Sequence, residues 1–170
     1  MAKTSGGVRK YSKGSSTYLK RQAEAETMRR SGKYSSVEMG KGGGYVAVEK
    51  SSAKHKPEEL EAARILANKG YKVMLKDESG GKITPDGFIF KASFEQRTPQ
   101  AGSYKNFVKG LEHAKKKVAS VAVMYDKYGV HTRSSVKKGL SRYEYLNKYR
   151  FKEVIVISKD GRIHRHKHDT

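Results

Sequence analysis

The chain contains no cysteine, which excludes disulfides and thiolate metal ligands at the outset. Its start, Met1-Ala2-Lys3-Thr4-Ser5-Gly6-Gly7, has no apolar stretch, so no secretory leader is expected. No apolar run approaches the roughly 20 residues that a membrane span needs. These absences predict a cytoplasmic protein with no membrane partner. Acidic side chains are also scarce: 17 Asp and Glu stand against 37 Lys and Arg, a formal net charge of +20. A surface of that sign attracts polyanions, and nucleic acid is the commonest of them.

The few acids are unevenly placed. Residues 1–50 carry 11 basic and 4 acidic side chains, residues 51–100 carry 9 and 7, and residues 101–170 carry 17 and 6. An acidic middle flanked by basic sequence suits a protein that holds a cation inside a wide field for phosphates.

Residues 1–15 are small, polar and basic, and read as a disordered arm. Ser16 or Thr17 is placed to cap a helix running to about Arg30, ended by Gly32. Gly40, Gly42, Gly43 and Gly44 mark a loop, read as a flexible linker because no Walker-type Lys-Ser/Thr follows it. Tyr45 to Val48 is a short strand. Residues 1–50 are therefore expected to be a basic extension, partly disordered or helical, and residues 51–170 a globular domain.

Pro57 suits a first helical turn, and Glu58, Glu59 and Glu61 complement the positive end of the helix dipole. Leu60, Ala63, Ile65, Leu66 and Ala67 form its buried side, and Gly70 stops it. Tyr71 to Leu75 alternates as a strand, and Asp77 to Gly81 turns. Ile83–Phe90 and Ala92–Thr98 read as a hairpin turning near Lys91. A basic helix over 103–117 presents Phe107, Val108, Leu111 and Ala114 on one face. Val118 to Tyr125 has the continuous apolar character of a strand buried on both sides. A helix over 134–148, a strand from Val154 to Ile157 and a last strand from Ile163 complete the chain. The predicted fold is α/β, a mixed central β-sheet flanked by helices on both faces, with a basic N-terminal extension.

Chemistry concentrates between Thr84 and Pro99. Asp86 opens one strand, and Glu95 and Arg97 sit two apart on the next, so they share a face while Gln96 points away. A hairpin brings Asp86 near Glu95, and two converging carboxylates repel unless a cation bridges them. Mg²⁺ or Mn²⁺ fits oxygen ligands. Such an ion polarises a phosphoryl oxygen and acidifies water, and Arg97 adds fixed charge without acting as a base. Pro-Asp-Gly is equally a favoured turn sequence, and Glu95 with Arg97 could be a solvated pair.

Pro85-Asp86 followed by Glu95-Gln96-Arg97 resembles the PD-(D/E)XK signature of restriction-endonuclease-like nucleases. The stretch from Glu59 to Val73 resembles the opening helix and strand of one branch, the C-terminal tRNA-nuclease toxin domains of contact-dependent growth inhibition proteins. The similarity spans about residues 55 to 165. It implies a restriction-endonuclease-like fold, with Glu59, Asp86 and Glu95 as metal-binding and catalytic residues and Arg97 where lysine is usual. Glu58 and Glu61 compete with Glu59 for the helix position. The resemblance further implies RNA, tRNA in particular, as substrate ahead of DNA. An acidic inhibitor or immunity protein would be a partner, and the site of action the cytoplasm of a target cell.

Phosphate contacts are expected from Lys105, Lys115, Lys116, Lys117, Lys137, Lys138 and Arg142, with Tyr104, Tyr125, Tyr128, Tyr143, Tyr145 and Tyr149 placed among cations to stack on unpaired bases, although half of them, Tyr125 foremost, are equally expected in the core. The tail histidines His164, His166 and His168 alternate; on a strand they would share a face and could bind a metal or act as a metal-independent acid–base set, whereas a frayed tail with solvated histidines is the commoner outcome. His113 and His131 are isolated and read as structural or exposed. Two other functions fit the same residues. One is a nucleic-acid-binding module whose site has decayed, as the arginine at 97 suggests. The other is a DNA-processing nuclease of a mobile element.

Overall fold

A computed structural model describes residues 8–51, 54–79 and 84–168. Eight strands form one sheet in sequential order: β1 (Tyr34–Met39), β2 (Tyr45–Glu49), β3 (Lys72–Leu75), β4 (Gly87–Ile89), β5 (Ala92–Arg97), β6 (Val121–Tyr125), β7 (Glu153–Ile157) and β8 (Ile163–Lys167). The helices are α1 (Ser16–Arg30), α2 (Pro57–Asn68), α3 (Tyr104–Lys116) and α4 (Arg133–Leu146). Pairs β2–β3, β5–β6 and β6–β7 are parallel, and α2, α3 and α4 are the respective crossovers. The remaining neighbours are antiparallel. The mixed α/β architecture expected from the sequence is what the chain adopts.

Each helix start follows from its local residues. Ser15 Oγ accepts from the Tyr18 amide at 3.2 Å, so the cap of α1 is Ser15 and the expected Ser16 and Thr17 lie inside the first turn; Ser103 Oγ accepts from Asn106 at 3.3 Å and Thr132 Oγ1 from Ser135 at 3.0 Å. Each satisfies an amide that a helix N-terminus otherwise leaves unpaired. At α2, Pro57 occupies the first turn and Glu59 reaches back to the Lys56 amide at 3.3 Å.

Alternation along the strands divides the core. Val73, Leu75, Phe94, Val121, Val123 and Ile155 face α2 with Leu66 and Ala63. Ala122, Met124, Val154 and Val156 face the other way, against Phe107 and Leu111 of α3 and Val136 and Tyr143 of α4. The strand register places α1 on that second face, over Tyr45 and Ala47 at the β1–β3 end. Helices therefore cover both faces.

Several expectations are corrected. Of the segment read as a disordered arm, residues 8–15 are ordered: the Tyr11 amide donates to Gly42 O at 2.7 Å and Val8 packs on the core; residues 1–7 lie outside the described residues. The glycine run is no flexible linker. Gly40 N–H donates to Gly44 O at 2.8 Å, closing the β1–β2 turn, and Gly44 N–H donates to Ala67 O at 3.1 Å at the end of α2. A Cβ at Gly40 or Gly44 would overlap the backbone of Ala67 or Tyr71, so this close approach requires glycine. Strand β1 leaves no mark in the sequence, because only Val37 of its six residues is buried and no apolar alternation results. Strand β6 begins at Val121 rather than Val118, because Val118, 68% exposed with φ of 54°, belongs to the turn after α3. The first hairpin strand starts at Gly87; the expected start at Ile83 lies outside the described residues. Residues 16–49 supply α1, β1 and β2 to the common sheet. Among the described residues no helix is long and apolar enough to cross a membrane.

Candidate active site

The β4–β5 hairpin pairs Gly87 with Phe94, which puts the residue before β4 across from the residue after Phe94. Those residues are Asp86 and Glu95. The Asp86 amide donates to Glu95 Oε1 at 3.1 Å, and the Gln96 amide donates to Asp86 Oδ2 at 2.7 Å. The carbonyl of Asp86 accepts from Lys76 N–H at 2.8 Å, tying the site to β3. Asp86 and Glu95 are 3% and 4% exposed. Burial, then the charge of Glu95 and that of Glu59, push the Asp86 carboxyl far above the ordinary carboxylate range. Burial also raises Glu95, partly offset by the Lys117 ammonium.

Helix α3 supplies the basic side of the site. As the crossover between parallel β5 and β6 it packs on the face of Ala122 and Met124, the register partners of Glu95 and Arg97. Gly110 lets it lie close, since a Cβ there would run into the Met124 side chain. His113 Nε2 is thereby 3.1 Å from Glu95 Oε2 and 3.4 Å from an Arg97 guanidinium nitrogen. Burial first, then Arg97 and nearby lysines, lower the His113 pKa. Glu95 and Arg97 do share a face, and Gln96 turns away to donate to Thr98 Oγ1 at 2.7 Å. Lys117 Nζ donates to Thr84 O at 3.2 Å, beside the carboxylates. His113, isolated in the sequence, is therefore part of the site. The signal that could have found it is topological: a crossover helix directly after β5 covers one face of that strand, and Glu95 lies on the face that α3 covers.

The helical glutamates diverge. Glu61 Oε1 accepts from the Tyr125 hydroxyl at 2.7 Å and its other oxygen lies 3.1 Å from Lys127 Nζ, so it serves the core edge. Glu59 Oε2 is 2.9 Å from His55 Nδ1, and the bond to Glu59 is the main cause that raises the His55 pKa. Glu78, a turn residue by sequence, joins two groups whose ligand atoms lie within 4.8 Å of one another: His55, Glu59 and Glu78, and Glu78, Asp86 and Glu95. Glu78 also bonds to the Asp86 carboxyl and raises its pKa. Glu59 thus reaches the buried pair only through its field, whereas Glu78 reaches it directly.

A groove of about 550 Å³ opens from Arg97 and His113 along α3, lined also by Asn106, Lys109 and Lys116. Of the lysines singled out in the sequence, Lys116 lines this groove and Lys117 enters the carboxylate site. Lys115 is spent on structure, donating to Asn147 Oδ1 at 2.8 Å. Lys105 is exposed on α3. Lys138 sits 4.3 Å above the Tyr104 ring, and Arg142 is 5.3 Å from the Tyr145 ring. Lys137 lines a separate cavity with His131, Arg133, His164 and His166. The strand histidines His164 and His166 pair with Val156 and Val154, at the β7–β8 edge of the sheet and away from β4 and β5.

No protein-family model matches this chain, and no curated protein does. Among solved structures, a chain of a CdiA-CT/CdiI toxin and immunity complex from Burkholderia pseudomallei is similar, with a TM-score of 0.56 and 23% identity. The match covers 71% of this chain and 98% of the other. At that identity the likeness establishes a shared fold.

Proposed function

We propose that this chain is a metal-dependent endonuclease of the PD-(D/E)XK type that hydrolyses RNA phosphodiesters, tRNA foremost, in a toxin-like role. One observation carries the reading: two carboxylates are buried face to face, each held by the other strand's backbone, with His113 joining them to a groove lined by Arg97, Lys109 and Lys116. Burying two like charges is costly, and the raised pKa values of both groups express that cost. The donor set is all oxygen, from Asp86, Glu95 and Glu78, and suits Mg²⁺ or Mn²⁺. When bound, such an ion supplies a polarised phosphoryl oxygen and an acidified water.

The chain's own residues do the rest. Asp86 and Glu95 provide ligand oxygens in fixed orientation, and Glu59 adds negative potential from α2. Arg97 and Lys117 place positive charge where a phosphorane would form, and Arg97 cannot serve as base. His113, bonded to Glu95, keeps that carboxylate in place. Lys109 and Lys116 bind phosphates beside the scissile one. The +20 charge supports a polyanionic substrate and an acidic inhibitor protein as a competing occupant. The relative from Burkholderia pseudomallei, a toxin and immunity complex, supports the toxin-like role and such a partner.

The test is incubation with labelled tRNA, mRNA and single- and double-stranded DNA, with Mg²⁺, Mn²⁺ or EDTA. The expected result is metal-dependent cleavage with tRNA cut fastest. Undiminished cutting in EDTA, or tight binding without cleavage under any metal, overturns the proposal.

A further inference from the structure

We infer that a second groove of this chain, at the turn of the β4–β5 hairpin, binds an unpaired RNA strand by base stacking on Phe90 and phosphate contacts from Lys91 and Lys152. The inference rests on the RNA reading above and adds a binding surface that the cleavage chemistry does not use.

Three observations support it. The first is Phe90 itself, the leading residue of the two-residue turn between the paired Ile89 and Ala92. Its φ is 53°, in the left-handed region that glycine ordinarily fills in such a turn, and it is 40% exposed. A bulky residue there carries backbone strain, and a ring left so exposed gains little from burial in return. The Tyr71 ring centroid lies 6.1 Å from that of Phe90, and the Arg21 guanidinium 5.7 Å, which steadies the ring without enclosing it.

The second observation is charge. Phe90 and Tyr149 line a groove of about 1160 Å³, larger than the roughly 300–1,000 Å³ of a small-molecule pocket. Six Lys and Arg line it against one acid, Glu153, which is paired with Arg165, so the lining stays strongly positive. Lys91 and Lys152 are exposed, and neither has an acidic partner among the described residues. The third is position. Phe90 and Lys91 form the turn of the hairpin, away from Asp86 at its open end. Val121 and Ile155 of the groove belong to the side of the sheet that faces α2, whereas Glu95 meets His113 of α3 on the other. The sheet separates the groove from the carboxylates, so its occupancy requires no metal. Aromatic rings stack on any base while cations track the backbone, which fits a single strand, whose bases are free, better than a duplex.

The experiment is fluorescence anisotropy of the full chain in EDTA with a labelled single-stranded RNA of about ten nucleotides and with the duplex of the same sequence. Phe90→Gly installs the residue that the backbone favours, so its urea-unfolding midpoint should match or exceed the parent's. Its single-strand affinity should fall about tenfold while duplex affinity stays level. Phe90→Trp keeps an aromatic face and should retain the single-strand affinity. Lys91→Ala with Lys152→Ala should weaken both ligands and lower the slope of log Kd against log salt by about 1.5 units. Single-turnover cleavage at saturating enzyme should be unchanged in all of these variants. Parent-like single-strand binding by Phe90→Gly, or an equal loss for single strand and duplex, overturns the groove and leaves the nuclease reading standing. A clear loss of stability in Phe90→Gly assigns the ring to folding and overturns it too. A parent that cleaves nothing yet loses single-strand affinity in Phe90→Gly upholds the groove and overturns the nuclease.

Discussion

Asp86 and Glu95 are coupled through backbone as well as through charge. The Asp86 amide bonds to the Glu95 carboxylate, and the amide following Glu95 bonds to the Asp86 carboxylate. Each side chain thereby orients the strand that carries the other, and neither can leave without stranding a buried N–H. The arrangement keeps two like charges together despite their repulsion, so it is organised before any ligand arrives.

Replacing Asp86 by Asn, or Glu95 by Gln, keeps shape and removes charge. Single-turnover cleavage is expected to fall by orders of magnitude, while equilibrium binding of the same RNA stays level or tightens slightly. Parent-like cleavage by either variant would remove both residues from the chemistry.

Stability without metal should depend on pH in a definite direction. The folded pKa values of Asp86 and Glu95 lie above their unfolded values, which are near 4. Their contribution is therefore fully present below about pH 4 and is lost as pH rises through the raised folded values. Mn²⁺ requires the ionised forms, so the increase in Tm that it produces should grow from pH 5 to pH 8. Asp86→Asn should raise metal-free stability at pH 8 by on the order of 1 kcal/mol. An equal Mn²⁺ effect at both pH values would place the ion elsewhere.

The lysines of α3 should separate by role. Lys109→Ala with Lys116→Ala is expected to weaken RNA binding and make log Kd less steep in log salt, by about one unit for each phosphate that the variant no longer neutralises. Lys115→Ala should leave that slope alone and lower stability by about 1 kcal/mol, through the bond to Asn147. Arg97→Lys should retain cleavage and Arg97→Ala lose it, read as single-turnover rates at saturating enzyme.

Gly44→Ala tests the anchoring of the β1–β2 turn. Its Cβ would overlap the Tyr71 and Ala67 backbone, which cannot move without displacing β3 or α2. A loss of about 3 kcal/mol in urea unfolding is expected. A neutral substitution would mean that residues 34–49 pack loosely on the sheet.

Local signals in the sequence determined the helices and most strands. Capping residues, the Pro57 start, the apolar face of α3 and the unbroken run before Asp126 each follow from nearest-neighbour chemistry. The sharing of a face by Glu95 and Arg97 is likewise fixed by the period of a strand. The tertiary structure decided what depends on residues distant in sequence. Strand β1 exists because β2 offers a partner, and the glycine run is a clamp because α2 ends against it. His113 meets Glu95 because α3 packs on the face that carries it, and Glu78 lies beside Asp86 and Glu95 because β3 and β4 are neighbours in the sheet. Side chains so far apart along the chain, such as His113 and Glu95 or Glu78 and His55, carry no periodic mark of their meeting. Only the folded backbone sets the distances on which their chemistry depends.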